Sequence, residues 1–313
     1  MSTLPVRSRG SPDYDDRVPG AWPPPIEEQE LIDRLALDDE QFLDYIRAFI
    51  ARVPSRACDE AAFAWACAYP WARPAGSYLL NDDGAALLEE RSEPEREALI
   101  ERFSAPEAGR APLLAIGSNA APETLQRKFA HFGDAADRTV LAVTGWLHEF
   151  DVGYSALPAL YGAMPATIFP SPGTAVATTL LWLTPAQFTQ LTWSELSYQL
   201  GRLETRFAVD HADERFDEVL VFVSRWGAFR ADDGPVALAV VPAERRTATA
   251  LTQEQVLDVV AAMALGDGAR AETLVRAVFE DFARLASEVG PTLRRAALPF
   301  ASERWTPFAG APR

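Results

Sequence analysis

Leu113-Leu114-Ala115-Ile116-Gly117-Ser118-Asn119 is an apolar run that stops in a small polar turn. A second stretch, Pro165-Ala166-Thr167-Ile168-Phe169-Pro170-Ser171-Pro172-Gly173, leads through another apolar segment, 176–183, toward Glu195. Short apolar runs bounded by Gly, Pro and Ser read as strands. Further runs of this kind lie at 139–147, 218–223 and 236–241, and the last two flank Arg230-Ala231-Asp232-Asp233-Gly234, a hairpin-like loop. The region from residue 112 therefore reads as β-rich, with helices between and after the strands.

Upstream the texture is helical. Leu31, Ile32 and Leu35 form one stripe, and Phe42, Leu43, Ile46, Phe49 and Ile50 form another at 3–4 spacing, with Asp38 or Asp39 as its cap. A third helix is expected around Asp59 to Ala68, ending at Tyr69-Pro70, and a fourth over Glu93 to Phe103. Residues 78–88 fit either a small hairpin or a turn into a helix. Downstream, a helix follows Asn119 with Leu125 and Phe129 on one face. Thr252-Gln253-Glu254-Gln255 has capping-box form and opens a C-terminal helix. Leu274, Val278, Phe282 and Leu285 line a second, expected to stop at Gly290-Pro291. The expected organisation is a disordered proline-rich tail (1–25), a mainly helical N-terminal region (26–108), an α+β domain with C-terminal helices (109–300) and a tail (301–313).

The chain has 313 residues, 48% of them hydrophobic and 24% charged, which suits a folded globular protein. Its net charge is −16, and residues 1–110 hold 22 acidic against 12 basic side chains. No basic footprint exists for a phosphate backbone, so nucleic acid is excluded as an expected partner. The acidic N-terminal region instead suits a basic protein partner. Cys58 and Cys67, if on one helix, lie about 13 Å apart along its axis, too far for a disulfide. Two buried free thiols in a reducing compartment are expected. Residues 1–25 hold no apolar leader, and no apolar run matches a bilayer; the expectation is a cytoplasmic protein without membrane contact.

Thr184-Pro185-Ala186-Gln187 starts a helix strongly: Thr as cap, Pro at the first position, Gln at the third. Its apolar stripe reads Phe188, Leu191, Glu195 and then Tyr198. Glu195 thus either points inward as a proton acceptor or, if the helix frays by Thr192, sits in solvent. Gly117-Ser118-Asn119 either exposes loop amides as an anion or oxyanion site, with Asn119 capping the next helix, or merely turns a corner. Arg225, beside Trp226, either grips a substrate carboxylate or faces outward. Asp210, His211, Asp213, Glu214 and Asp217 lack the loop spacing of a hard-cation site. Zincin, nucleophile-elbow and phosphate-binding glycine motifs are absent, so neither metal nor cofactor is expected.

In order and spacing, three segments resemble the γ-glutamylcyclotransferase-like family over roughly residues 112–245. These are Ile116-Gly117-Ser118-Asn119-Ala120; Gly162-Ala163-Met164-Pro165-Ala166-Thr167-Ile168 with Ser171-Pro172-Gly173; and Leu191-Thr192-Trp193-Ser194-Glu195. The resemblance implies an α+β fold, a small mixed β-barrel with flanking helices. It also implies an acyltransferase or lyase chemistry needing no cofactor. The α-amine of a γ-glutamyl substrate attacks its own γ-carbonyl, forming 5-oxoproline and releasing an amine. Glu195 would be the general base and Ile116 to Ala120 the substrate-binding turn, with Tyr198 and Arg225 as further substrate contacts. Against the family pattern, Ile116 stands for a tyrosine, Thr192 for an acidic residue and Leu196 for a glycine. The alternative is a non-catalytic member of the same fold that binds a small molecule or protein.

Overall fold

In the computed structural model, residues 25–26, 28–210, 215–231 and 234–308 are described. Residues 1–24 of the expected tail, and His211, Asp213 and Glu214, lie outside them. Seven strands carry the architecture: β1 (Tyr78–Asn81), β2 (Gly84–Leu87), β3 (Ala111–Ala115), β4 (Val140–Tyr154), β5 (Ala166–Leu183), β6 (Tyr198–Val209) and β7 (Arg215–Ser224). Pairing runs β5-β3-β7-β6-β4, and β4 pairs back onto β5, so these five close a barrel. β3 and β7 are parallel and the other barrel pairs antiparallel, which makes the barrel mixed. The fold is α+β.

Alternation along the strands separates two packed faces. Leu114, Leu141, Val143, Leu180 and Trp182 join one cluster. Their neighbours Leu113, Ala115, Val140, Ala142, Leu181 and Leu183 join the other. Both faces are covered, which is why these segments read as continuous apolar runs rather than alternating ones. Helices α1 (Gln29–Leu35), α5 (Pro122–Phe129) and α6 (Pro185–Ser194) cover the second face through Leu31, Leu125, Phe129, Phe188 and Leu191. Helices α2 (Asp39–Ile50), α3 (Glu60–Cys67), α7 (Gln253–Leu265), α8 (Ala271–Glu280) and α9 (Phe282–Ala296) contribute to the first, and α4 (Glu93–Ser104) adds Phe103. The N-terminal region therefore shares both cores with the barrel. Its hairpin β1–β2 extends the sheet by pairing with β4.

The helix starts follow the sequence signals closely. Asp38, Thr184 and Thr252 each form a reciprocal capping box with the Gln three residues on. The C-terminal pattern differs from expectation. What reads as one helix from Leu274 onward breaks at Asp281, whose side chain caps α9 by accepting from the Arg284 N–H. That helix then runs through Gly290-Pro291 to Ala296. Gly290 lacks the Cβ that a following proline ring would crowd in helical backbone. The segment 301–313, expected as tail, contains the strand Trp305–Pro307 paired with β6.

Strand limits also move. β4 extends to Tyr154 and β5 begins at Ala166, so the Pro165–Gly173 segment is largely strand rather than approach. A bulge between His148 and Phe150, with Glu149 at φ 68°, absorbs the register shift between the two. The expected strand 236–241 shrinks to Ala237–Leu238. Cys58 precedes α3 instead of lying on it; both cysteines are half-buried free thiols. Burial raises the Cys67 thiol to about 11.

Candidate active site

β3 delivers Ile116 and Gly117 into a tight 3-10 turn, Ser118–Ala120, at the barrel's edge. A Cβ at position 117 would collide with the Tyr69 hydroxyl, so close approach from the N-terminal region requires glycine here. The Ala120 and Ala121 amides donate to the Gly117 and Ser118 carbonyls (3.1 and 3.0 Å). Those two amides are spent within the turn and do not form an oxyanion hole. Ile116 and Ala120 are buried in the cores, and the turn presents Ser118 and Asn119 instead.

Asn119 does not cap α5. Ala121 holds the cap position and Pro122 begins the helix. The Asn119 side chain turns to Glu195: Nδ2 donates to Oε1 at 2.9 Å, across 76 residues of sequence. Its Oδ1 accepts from Lys128 Nζ at 2.8 Å, and the same ammonium donates to Ser194 Oγ at 2.7 Å. An ammonium only donates, so Lys128 fixes which end of the Asn119 amide faces the carboxylate. Burial lowers the Lys128 pKa, and the negative charge of Glu195 opposes that shift.

Glu195 is the residue after α6, not the last turn of its apolar face. The helix ends at Ser194, and Glu195 takes φ −96°, ψ 55° as C-cap. Its N–H donates to the Thr192 carbonyl (3.1 Å) and its carbonyl accepts from Tyr198 N–H (3.2 Å). The side chain is half-buried. Unmet carbonyls at a helix C-terminus would disfavour a carboxylate beside them. Arg34 of α1 answers this by donating to the Thr192 and Trp193 carbonyls, its guanidinium 5.3 Å from the Trp193 ring centre.

Two phenols bracket the first residue of β5. The Tyr69 hydroxyl accepts from Ala166 N–H (2.8 Å), and the Tyr198 hydroxyl donates to the Ala166 carbonyl (2.7 Å). Burial raises Tyr69 to about 12 and Tyr198 well above the ordinary phenol value, with the Glu195 charge adding to both shifts. Arg73 donates to the Ile116 and Gly117 carbonyls, both at 3.0 Å. The N-terminal region thus touches the site through Arg34, Tyr69 and Arg73.

Of the residues singled out from sequence, Gly117, Ser118, Asn119, Glu195 and Tyr198 converge. Arg225 does not join them. Its guanidinium donates to the Leu35, Leu37 and Asp38 carbonyls and lies 4.7 Å from the Phe42 ring centre, pinning the turn between α1 and α2. Arg225→Met is expected to cost about 2 kcal/mol, the scale of losing charged hydrogen bonds to buried carbonyls. Thermal unfolding should register that loss while ligand affinity at Glu195 stays unchanged; a selective affinity loss would return Arg225 to the site. Lys128, Tyr69, Arg73 and Arg34 have no place in the sequence-based site. Only Lys128 left a signal, three residues after Leu125 and next to Phe129, on the edge of a buried face. Among the described residues no group of three or more His, Cys, Asp or Glu side chains is placed to hold a metal ion. No helix among them is long and apolar enough to cross a membrane.

No family model and no curated protein matches the chain. Among solved structures, one titled gamma-glutamyl cyclotransferase is similar at 17% identity and a TM-score of 0.29. The match covers 37% of this chain and 66% of that one, just short of two thirds of its length. An uncharacterized protein from Homo sapiens, known from an ensemble refinement of its crystal structure, is similar at 17% identity and a TM-score of 0.26. That match covers 37% and 67% of the two chains.

Proposed function

We propose that this chain is a γ-glutamylcyclotransferase-like enzyme that cyclises a γ-glutamyl substrate to 5-oxoproline with Glu195 as general base. The observation that carries the reading is the 2.9 Å contact between Asn119 and Glu195, which joins the turn and the carboxylate that the sequence pairs. In the reaction, Glu195 takes a proton from the substrate α-ammonium. The freed amine attacks the γ-carbonyl carbon, and the carbonyl π-electrons move onto oxygen. Collapse of that oxyanion breaks the γ-amide C–N bond as the departing nitrogen collects the proton held on Glu195. Glu195 then takes the surplus proton of the ring nitrogen and passes it to the released amine, which leaves as an ammonium. Atoms balance without water, metal or redox partner. The nucleophile is part of the substrate, so proximity within one molecule supplies much of the acceleration.

The polar groups around the carboxylate fit this role. Asn119 holds one oxygen of Glu195, which gives the carboxylate a fixed direction. Lys128 and Arg34 add positive charge near it, suited to a substrate with its own carboxylate. The direct test is incubation with a panel of γ-glutamyl amines, following 5-oxoproline and free amine together. Equimolar release is expected. Free glutamate in place of 5-oxoproline would mean hydrolysis and overturn the cyclisation. Saturable binding without any product would favour the non-catalytic binding protein.

A further inference from the structure

An open groove with a cavity volume of about 610 Å³ runs between the C-terminal end of α2 and the loop joining β4 to β5. Phe49, Val53, Pro54, Leu160 and Tyr161 give it apolar walls, and Arg52 and Arg56 stand on its rim. Arg56 is committed, since it donates to the Leu160 carbonyl (2.7 Å) and lies 4.8 Å from the Phe279 ring centre. Arg52 is exposed and forms no ion pair with any described residue. A half-exposed apolar trough with a spare cation at its rim suits an apolar chain that ends in an anion.

The groove meets the Glu195 site through one side chain. Tyr161 lines the groove and also stacks on Tyr69, with ring centres 6.0 Å apart. Tyr69 in turn rests its hydroxyl against Gly117 and Ala166. The Tyr161 phenol is close enough to Glu195 for that charge to raise its pKa further, beyond the dominant effect of burial. Trp71 packs 5.5 Å from both Tyr161 and Tyr69, so an aromatic cluster joins the groove wall to the side chain that rests on Gly117. The walls come mainly from α2 and the segment after it, which is the region the barrel itself does not need to close.

We propose that this groove receives the leaving amine of the substrate, a γ-glutamyl conjugate of a long apolar amine bearing a terminal acid that meets Arg52. The inference rests on the cyclotransferase reading for its chemistry, but its affinity test does not. Three probes separate the contributions: the γ-glutamyl conjugate of 8-aminooctanoic acid, γ-glutamyl octylamide and γ-glutamyl methylamide. Binding is measured by calorimetry on Glu195→Gln, alone and combined with Val53→Asp or Arg52→Gln, and 5-oxoproline release is measured on the wild type.

The octanoic acid conjugate is expected to bind about 30-fold more tightly than the methylamide, since even partial burial of the chain amounts to several methylenes. Val53→Asp should abolish that advantage and leave methylamide affinity as it was. Arg52→Gln should reduce the octanoic acid conjugate to the affinity of the octylamide. Equal affinities for all three probes, insensitive to Val53→Asp, would overturn the groove. Groove-dependent binding with no 5-oxoproline from any probe would instead overturn the chemistry at Glu195 and leave the groove standing.

Discussion

Glu195→Gln is expected to lower 5-oxoproline formation by about 10²–10⁴-fold, the range over which a positioned general base contributes. Glutamine has the same shape, and its Oε1 can still accept from Asn119 Nδ2, so the turn and the C-cap of α6 keep their contacts. What disappears is the capacity to take a proton. The substitution removes one charge from a half-buried position, so the unfolding temperature should hardly move. Lys128→Met tests the relay behind the base. It leaves the Asn119 amide free to flip, and an oxygen turned toward Glu195 would repel the carboxylate. About a tenfold fall in kcat/KM is expected, on the scale of one hydrogen bond to a charged group. Undiminished 5-oxoproline formation by Glu195→Gln would remove this residue from the chemistry.

The barrel was legible from residues because its strands are buried on both faces. Runs such as Leu113–Ala115 and 176–183 stand out from any surface strand. β6 was not legible, for a definite reason. Its buried large apolar side chains Leu200, Leu203, Phe207 and Val209 are spaced three, four and two apart, matching neither a strand nor a helix. The buried alternation at 201, 203, 205, 207 and 209 includes Gly201 and Thr205, which give no apolar signal, and Arg202, Glu204 and Arg206 stand between. Small and polar residues on the buried face thus conceal the period of the strand.

The site divides in the same manner. Local signals found the turn and the carboxylate, but placed Glu195 on the helix when it is the cap. Spacing of three and four continued one residue beyond the point where the helix stops. The partners that define the environment are distant in sequence: Tyr69 meets Ala166 across 97 positions, and Arg34 meets Thr192 across 158. No periodicity records such contacts. They arise because the N-terminal region packs into the same two cores as the barrel. The resemblance carried by residues 112–245 contains none of that region, yet Tyr69 puts a phenol beside Gly117 where Ile116 supplies none.

The largest expected loss of stability belongs to a pair with no direct contact to Glu195. Asp151, on β4 just past the bulge, is wholly buried and accepts from Arg246 Nε and Nη2, both at 2.8 Å. The same guanidinium donates to the Val241 carbonyl at 3.0 Å, so through Arg246 the chain on both sides of the short strand at Ala243–Glu244 is held against Asp151 of the barrel wall. A two-pronged contact of this kind satisfies both partners only while both are present. Asp151→Ala strands a nearly buried guanidinium, and removing one member of a buried pair costs about 3–5 kcal/mol. Differential scanning calorimetry should show a fall of about 5–8 °C for a chain of this length. Salt should not rescue it, since buried charges are poorly screened. The double change Asp151→Leu with Arg246→Met should recover much of the loss, because an apolar pair leaves no unpaired charge. If the double variant were as unstable as Asp151→Ala, the cost would lie in packing at the bulge rather than in the stranded arginine.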